Sequence, residues 1–126
     1  MKQSIMRPGY TQSQPYSHAV MASGRLLFIS GQGPVGLDGK VVDGDFADQC
    51  RRTLDNLAAV AAAAGTDLSR AVKVTAYLRD PARDFATFND IYREYFTADR
   101  PARTTVQSAL PTMLVEIDAI LALDDD

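Results

Sequence analysis

A guanidinium and a carboxylate stand out as the side chains of this sequence that could do chemistry. Arg103 opens an apolar-rich segment just after Pro101, and Glu116 interrupts the apolar run 114–117. A carboxylate inside such a run needs a partner, because an isolated buried carboxylate becomes neutral instead of staying charged. The residues alone favour a structural ion pair between the two groups over a site that does chemistry.

Other kinds of catalytic or metal site find little support in the sequence. Residues 30–33 (SGQG) resemble part of the nucleophile turn of hydrolases but lack the glycine before the serine. No glycine-rich phosphate loop of the usual nucleotide-binding patterns occurs. His18 is the only imidazole, and we interpret it as a packing or surface residue of a strand. With Cys50 as the only thiol, the chain offers too few ligands for a structural zinc site, so no metal is predicted.

The composition is that of an ordinary soluble globular domain. The chain has 126 residues, of which 46% are apolar and 23% are charged. No apolar run approaches the roughly 18 residues that span a membrane, and the N-terminus lacks the apolar stretch of a secretory signal. A single cysteine fits a reducing compartment. These features predict a cytoplasmic protein with no membrane contact.

The charge balance argues against nucleic acid as a partner. Sixteen acidic and thirteen basic residues give a formal net charge of −3, and the acidic tail at 124–126 accounts for that difference. The rest of the chain is near neutral and has no basic stripe. Proteins that bind nucleic acid usually carry an excess of Lys and Arg that neutralises phosphates.

Hydrophobic periodicity predicts the elements that must position Arg103 and Glu116. Apolar residues spaced by three or four predict a helix over 46–61, capped by Asp43 or Asp45 and ending near Gly65. Alternation over 72–78 predicts a strand. Aromatic residues between 85 and 96 predict a second amphipathic helix, and we interpret their stripe as core in preference to a binding surface.

The remaining segments are predicted to be strands, turns and an arm. Residues 1–16 are expected to form an extended N-terminal arm, and residues 18–23 and 25–31 a hairpin. A short edge strand is predicted at 40–42. Residues 103–109 and 114–123 are expected to form a second hairpin around Pro111. That hairpin would bring Arg103 and Glu116 toward one end of the sheet.

The predicted order β-β-(β)-α-β-α-β-β describes a single α+β domain over residues 1–126. Each helix has one apolar face and links two strands, so both helices should cover the same face of one sheet. The last strand has apolar residues on both of its sides. We therefore expect the other face of the sheet to be covered by further copies of the chain.

Short motifs distributed along the chain carry a family resemblance. They are PYS at 15–17, SGQ at 30–32, NL at 56–57, FNDIY at 88–92, PAR at 101–103 and VEIDAI at 115–120. In this order the motifs resemble the reactive intermediate deaminase family, which is also called RidA or YjgF-like and is often labelled L-PSP endoribonuclease. The resemblance extends over nearly the whole chain.

The resemblance implies a fold, an assembly and an activity. The fold is a chorismate-mutase-like α+β sheet that assembles as a homotrimer with clefts at the subunit interfaces. Archetypal members hydrolyse small enamines and 2-imino acids, such as 2-aminoacrylate and 2-iminopropanoate, to 2-keto acids and ammonia without a metal or an organic cofactor. By the same resemblance, Arg103 holds the substrate carboxylate and Glu116 assists the attack of water.

Five further positions match residues that line the family's cleft. They are Tyr16, Ser30, Gly31, Asn89 and Thr105. Thr105 stands where archetypal members carry a cysteine, so thiol reactivity is absent there, although its backbone groups could still bind substrate. The segment between Arg103 and Glu116 is shorter than in archetypal members, which could reshape the mouth of the cleft.

The leading hypothesis is a cofactor-free hydrolytic deaminase of small 2-imino acids. A second hypothesis keeps the trimer as a non-catalytic module that binds a small carboxylate or a regulatory partner. A third keeps the fold but changes the reaction to hydrolysis of another carbon–nitrogen compound. Ribonuclease activity is suggested only by the family's label, and the acidic charge balance disfavours it.

Overall fold

A computed structural model describes residues 1–123, so the predicted acidic tail at 124–126 lies outside the described residues. The elements in chain order are β1 (Lys2–Ile5), β2 (Ala19–Ala22), β3 (Arg25–Gln32), α1 (Phe46–Ala63), a 3-10 turn (Leu68–Arg70), β4 (Ala71–Leu78), α2 (Pro81–Tyr95), β5 (Ala102–Gln107) and β6 (Val115–Leu123). Both predicted helices and the predicted strands after them are confirmed, with boundaries shifted by a few residues.

The main sheet has four strands in the order β3-β6-β4-β5. Strand β6 pairs antiparallel with both β3 and β4, whereas β4 and β5 run parallel and are joined by α2. Parallel neighbours need such a crossover, because a tight turn can only reverse the chain. The predicted α+β class, with two helices and one mixed main sheet, is confirmed.

The core lies between this sheet and the two helices. Leu54 and Leu57 of α1 and Phe88 of α2 are fully buried, as are Val74 of β4 and Ile117 of β6. The two helices also contact each other, which confirms that they share one face of the sheet. The opposite face, here called the open face, is much more exposed. This asymmetry decides which side chains are enclosed and which are not.

Local signals fix the ends of α1. The Asp45 carboxylate accepts a hydrogen bond from the backbone N–H of Asp48 at 3.0 Å, and the Asp48 carboxylate accepts one from the N–H of Asp45 at 3.2 Å. This reciprocal pair is a capping box, so Asp45 is the cap that the sequence left open between two aspartates. Gly65 follows the helix with φ +80°, the left-handed conformation that glycine adopts without strain.

The predicted hairpin of residues 18–23 and 25–31 is wrong. Strand β2 pairs instead with β1 in a separate two-stranded sheet, with Ala19 opposite Ile5. Strand β3 pairs with β6, which is remote in sequence. The Ser23-Gly24 break does turn the chain, but a local turn signal does not determine which strand supplies the hydrogen-bond partners. The predicted N-terminal arm accordingly begins with β1.

The predicted hairpin around Pro111 is also wrong, because β4 lies between β5 and β6. A crossover through α2 sets β5 beside β4, and the chain then passes β4 to reach β6. The predicted edge strand at 40–42 is reduced to one bridge between Val35 and Val41. Across residues 1–123, no helix is both long and apolar enough to span a membrane.

Candidate active site

Arg103 and Thr105 lie on the face of the sheet that the helices cover. In the parallel pair, Arg103 is opposite Val74 and Thr105 is opposite Ala76, and both of these β4 residues are fully buried. Neighbours in register point to the same face of a sheet. Arg103 therefore extends its guanidinium toward α2.

Four aromatic rings surround that guanidinium. Its central carbon lies 4.7 Å from the ring centroid of Tyr92, 4.9 Å from that of Tyr16 and 5.0 Å from that of Phe88. The Phe85 ring is 5.9 Å away. Rings at such distances attract a cation through their electron-rich faces, so this arrangement holds the arginine in place without pairing its charge.

A cavity of about 180 Å³ opens beside the guanidinium and is lined by Tyr16, Phe85, Arg103 and Thr105. Burial lowers the pKa of Arg103, but a guanidinium titrates so far above neutrality that it stays charged. Because the cation is partly removed from water, its attraction for an anion is strengthened. The cavity therefore suits a small ligand with a carboxylate.

Unpaired buried polar atoms cluster around the same arginine. Within residues 1–123, no partner is found for Arg103 Nε and Nη1, Thr105 Oγ1, the Tyr92 hydroxyl or Asn89 Oδ1. Asn89 lies on α2 three residues before Tyr92 and four after Phe85, about one helical turn from each. Buried polar groups are nearly always hydrogen-bonded in folded proteins. Such a cluster indicates a place where a ligand supplies the missing partners.

The N-terminal arm brings Tyr16 to this cavity. The backbone N–H of Ser17 donates to the carbonyl of Pro101 at 3.0 Å, and its hydroxyl donates to the carbonyl of Arg100 at 2.5 Å. A single bridge also joins Ser17 to Ala102 at the start of β5. These bonds hold the residue before Ser17 above the guanidinium.

Glu116 lies on the opposite, open face of the sheet. It is opposite Tyr77 on β4, while its neighbours Val115 and Ile117 point into the core. A Cβ atom added to Gly31 would lie 2.8 Å from Glu116 Oε2, so a side chain here would displace the carboxylate from its present position. Ser30 and Gly31 occupy the irregularity where the register of β3 shifts. The backbone of β3 therefore forms the wall beside Glu116.

A single chain thus carries two half-sites on different faces. The Arg103 half-site consists of Arg103 with Tyr16, Phe85, Asn89, Tyr92 and Thr105. The Glu116 half-site consists of Ser30, Gly31 and Glu116. Arg103 and Glu116 do not form an ion pair within one chain, as the predicted hairpin would have allowed, because the sheet separates them. The roles of these residues in binding and catalysis stay predictions.

The sequence did not indicate that Phe85 and Tyr92 belong to the site. Both were assigned to the core stripe of the second helix, and Tyr92 is indeed fully buried. Phe85 is 43% exposed and forms the cavity wall. Helical spacing gives these residues a common face, but it cannot indicate that a cation on β5 faces the same stripe.

Neither a metal centre nor a reactive thiol competes with these half-sites in the part of the chain that is described. Residues 1–123 contain no group of three or more His, Cys, Asp or Glu side chains that could hold a metal ion. Cys50 is fully buried on the core-facing side of α1, and burial raises the pKa of its thiol to about 12. A thiol with so high a pKa is a poor nucleophile near neutral pH.

Comparisons with known proteins agree on one family. Residues 7–123 match the family model described as Endoribonuclease L-PSP. A RutC family protein of Pyrococcus horikoshii is 48% identical over 109 residues, covering 84% of this chain and 85% of that protein. The 2-iminobutanoate/2-iminopropanoate deaminase of Bos taurus is 42% identical over 111 residues, covering 84% and 78%. A crystal structure of a Rid family protein of unknown function from Yersinia pestis is 32% identical, with a TM-score of 0.87, and the match covers 97% of this chain and 98% of that one.

Proposed function

The chain belongs to the endoribonuclease L-PSP family, which includes the reactive intermediate deaminases, and from this premise we propose that it is a cofactor-free hydrolytic deaminase of small 2-imino acids. Its substrates would be compounds such as 2-iminopropanoate, with a 2-keto acid and ammonia as products. The observation that carries the proposal is the charged, half-buried guanidinium of Arg103, whose unpaired N–H groups adjoin a cavity of about 180 Å³. A 2-imino acid supplies the carboxylate that such a group binds.

In the proposed reaction, Arg103 fixes the substrate carboxylate and Glu116 moves protons. Water adds its oxygen to the imine carbon, and Glu116 accepts the proton that the water loses. Glu116 passes that proton to the imine nitrogen, and the intermediate carries a hydroxyl and an amino group on one carbon. The hydroxyl proton then moves through Glu116 to the amino nitrogen as the C–N bond breaks, which leaves a keto group and ammonia. Holding both reactants in one cleft lowers the entropic part of the barrier.

The separation of the half-sites supports a homotrimer with clefts between subunits. In a closed ring of identical subunits, one surface of each chain contacts a different surface of the next chain. Such a ring can bring the Arg103 half-site of one subunit to the Glu116 half-site of the next. The open face of β3 also exposes Phe28 by 68% and Leu26 by 52%, and adjacent exposed apolar side chains favour burial by another subunit.

The direct test generates 2-imino acids with an amino-acid oxidase in the presence of semicarbazide and follows imine trapping by absorbance. The wild type should suppress trapping. Arg103→Ala should lose at least about 100-fold in kcat/KM, because truncating one partner of a buried charge pair costs several kcal/mol. Arg103→Lys keeps the charge but not the planar fork, so its loss should be smaller. Gel filtration of each variant controls for assembly.

An inactive but assembled wild type would contradict the deaminase proposal. A carboxylate-binding module without catalysis would then be favoured if calorimetry detected 2-ketobutyrate bound to the wild type and not to Arg103→Ala. Hydrolysis of another carbon–nitrogen compound is distinguished by turnover of that compound with the same dependence on Arg103. Ribonuclease activity, which the family description names, requires RNA cleavage that elutes with the protein peak and survives Arg103→Ala.

A further inference from the structure

We propose that the hydroxyl of Thr105 makes the cleft selective for 2-imino acids that carry a hydroxyl group on the carbon next to the imine carbon. This inference rests on the proposed deaminase function and names the class of substrate that the cleft prefers. It depends on the position of Thr105, on the absence of a partner for its hydroxyl, and on the hydrogen bonds that remain to be made once the substrate carboxylate is bound.

The position of Thr105 sets it beside the bound substrate and away from the carboxylate. Thr105 follows Arg103 by two residues on β5, so the two side chains share a face with Cα atoms about 6.6 Å apart. Both residues line the cavity, and Phe85 closes its side. When the guanidinium holds the carboxylate, the substituent on the far side of the imine carbon is within reach of Thr105.

The Thr105 hydroxyl has no partner among the described residues. Its Oγ1 atom is buried and unpaired, as is Asn89 Oδ1 on α2. Phe85, which also lines the cavity, is a hydrocarbon ring and can neither donate nor accept a conventional hydrogen bond. The Thr105 side chain has three staggered positions about its Cα–Cβ bond, so its hydroxyl can turn to meet a ligand in the cavity.

A carboxylate alone does not satisfy this half-site. Ionised carboxylate oxygens only accept hydrogen bonds, and the guanidinium of Arg103 already offers them donors. Asn89 Oδ1 can only accept, and the Thr105 hydroxyl can accept or donate. The imine N–H that every 2-imino acid carries can pair with one of these two oxygens, which leaves the other for a polar group on the substituent. A substrate hydroxyl both donates and accepts. It can therefore pair with the Thr105 hydroxyl whichever of the two acts as the donor. An alkyl substituent would leave one of the oxygens of Thr105 and Asn89 unpaired.

The test uses two substrates with the same number of heavy atoms. Oxidation of 2-aminobutyrate gives 2-iminobutanoate, and oxidation of serine gives 3-hydroxy-2-iminopropanoate, which has a hydroxyl in place of the terminal methyl. We expect the wild type to favour the hydroxylated imine by about tenfold in kcat/KM, which corresponds to ~1.4 kcal/mol. Thr105→Val, which has the same shape without the hydroxyl, should abolish this preference. Thr105→Ser should retain most of it.

Thr104→Val is the matched control. Thr104 lies on the same strand but on the open face, where its hydroxyl accepts a hydrogen bond from Lys73 Nζ at 2.8 Å. This substitution should leave the ratio between the two substrates unchanged. If Thr105→Val also leaves the ratio unchanged, or lowers kcat/KM equally for both substrates, the Thr105 hydroxyl does not distinguish the two substituents and the proposal is overturned.

A binding measurement separates this proposal from the proposed function. If the wild type hydrolyses neither imine, the deaminase proposal fails, and calorimetry then compares 3-hydroxypyruvate with 2-ketobutyrate on the same four proteins. A preference for 3-hydroxypyruvate that disappears only in Thr105→Val supports the selectivity. Equal dissociation constants for the two keto acids on the wild type overturn it.

Discussion

The two half-sites differ in how the fold constructs them. The Arg103 half-site is enclosed: four rings surround the guanidinium, and several polar atoms are buried without partners. The Glu116 half-site lies on the open face, where a carboxylate rests against the bare backbone of Gly31. Packing therefore positions the guanidinium, whereas the absence of a side chain makes room for the carboxylate.

This difference has an energetic consequence. Burying polar groups without partners costs stability in the free protein, and a ligand that pairs them recovers that cost on binding. The aromatic rings offset part of it by attracting the guanidinium. The half-buried Glu116 carboxylate can still have water as a partner in the free chain and incurs a smaller penalty. We infer that affinity is concentrated in the Arg103 half-site.

The largest expected effect tests whether the half-sites meet only between subunits. Arg103→Ala and Glu116→Gln should each be inactive as pure proteins. When the two are unfolded, mixed in equal amounts and refolded together, about a quarter of the wild-type activity should return, since one interface in four receives both intact half-sites from random assembly. The measurement is the imine-trapping assay on the mixture and on each variant treated alone.

A mixture as inactive as its components would show that the half-sites do not combine across an interface. The control is a mixture of Arg103→Ala with the double variant Arg103→Ala/Glu116→Gln. It contains no intact Arg103 half-site and should stay inactive whichever way the subunits are arranged.

A smaller effect is expected from the glycine beside Glu116. Gly31→Ala adds a Cβ at 2.8 Å from the carboxylate, and the end of the glutamate side chain has to move aside. We expect kcat/KM to fall about tenfold, because misplacing a catalytic group by about an ångström has effects of this order or larger. The melting temperature should change little, since the displaced atoms are the flexible end of a side chain.

The cause can be checked with a double-mutant cycle. In the Glu116→Gln background, where the proton-transfer group is already lost, Gly31→Ala should cost much less than it does in the wild type. A cost that is the same in both backgrounds would mean that Gly31 acts on something other than the carboxylate.

The next effect concerns stability on the enclosed side. Tyr92→Phe removes a buried hydroxyl that has no partner within residues 1–123, so the free energy of unfolding should rise by up to about 1 kcal/mol. Denaturant unfolding measures the change. Tyr95→Phe, on the same helix, is the control with opposite sign, because the Tyr95 hydroxyl donates to Asp55 at 2.7 Å. Destabilisation by Tyr92→Phe would indicate that its hydroxyl is paired after all.

The smallest expected effect concerns the pKa values of two tyrosines, one on each face of the sheet. The negative charge of Asp118 is the main cause that raises the pKa of Tyr77 on the open face, whereas burial is the main cause that raises the pKa of Tyr92. Asp118→Asn should therefore lower the titration midpoint of Tyr77 toward its ordinary value and leave Tyr92 unaffected. Absorbance titration measures this, with Tyr77→Phe identifying the step. An unmoved Tyr77 midpoint would contradict the assigned cause.

The sequence by itself determined the elements and the chemical candidates. Helix α1 follows from an apolar stripe and an aspartate that can cap its first turn, and β4 follows from alternation, because these signals act between residues that are near each other in the chain. Six short motifs identified the family, and the resemblance implied roles for Arg103 and Glu116. Local patterns and motifs can be recognised in the sequence without a structure.

Only the tertiary structure decided which strands are neighbours and which faces the candidates occupy. Both hairpins were predicted wrongly because turn residues specify a reversal of direction, not the partner that completes the hydrogen bonds. Strand β4 lies between β5 and β6, and the register of these pairs places Arg103 on the face that the helices cover and Glu116 on the open face. Side chains alternate along a strand, so a single step of register decides the face. That choice depends on packing between distant segments, which no local pattern of this sequence contains.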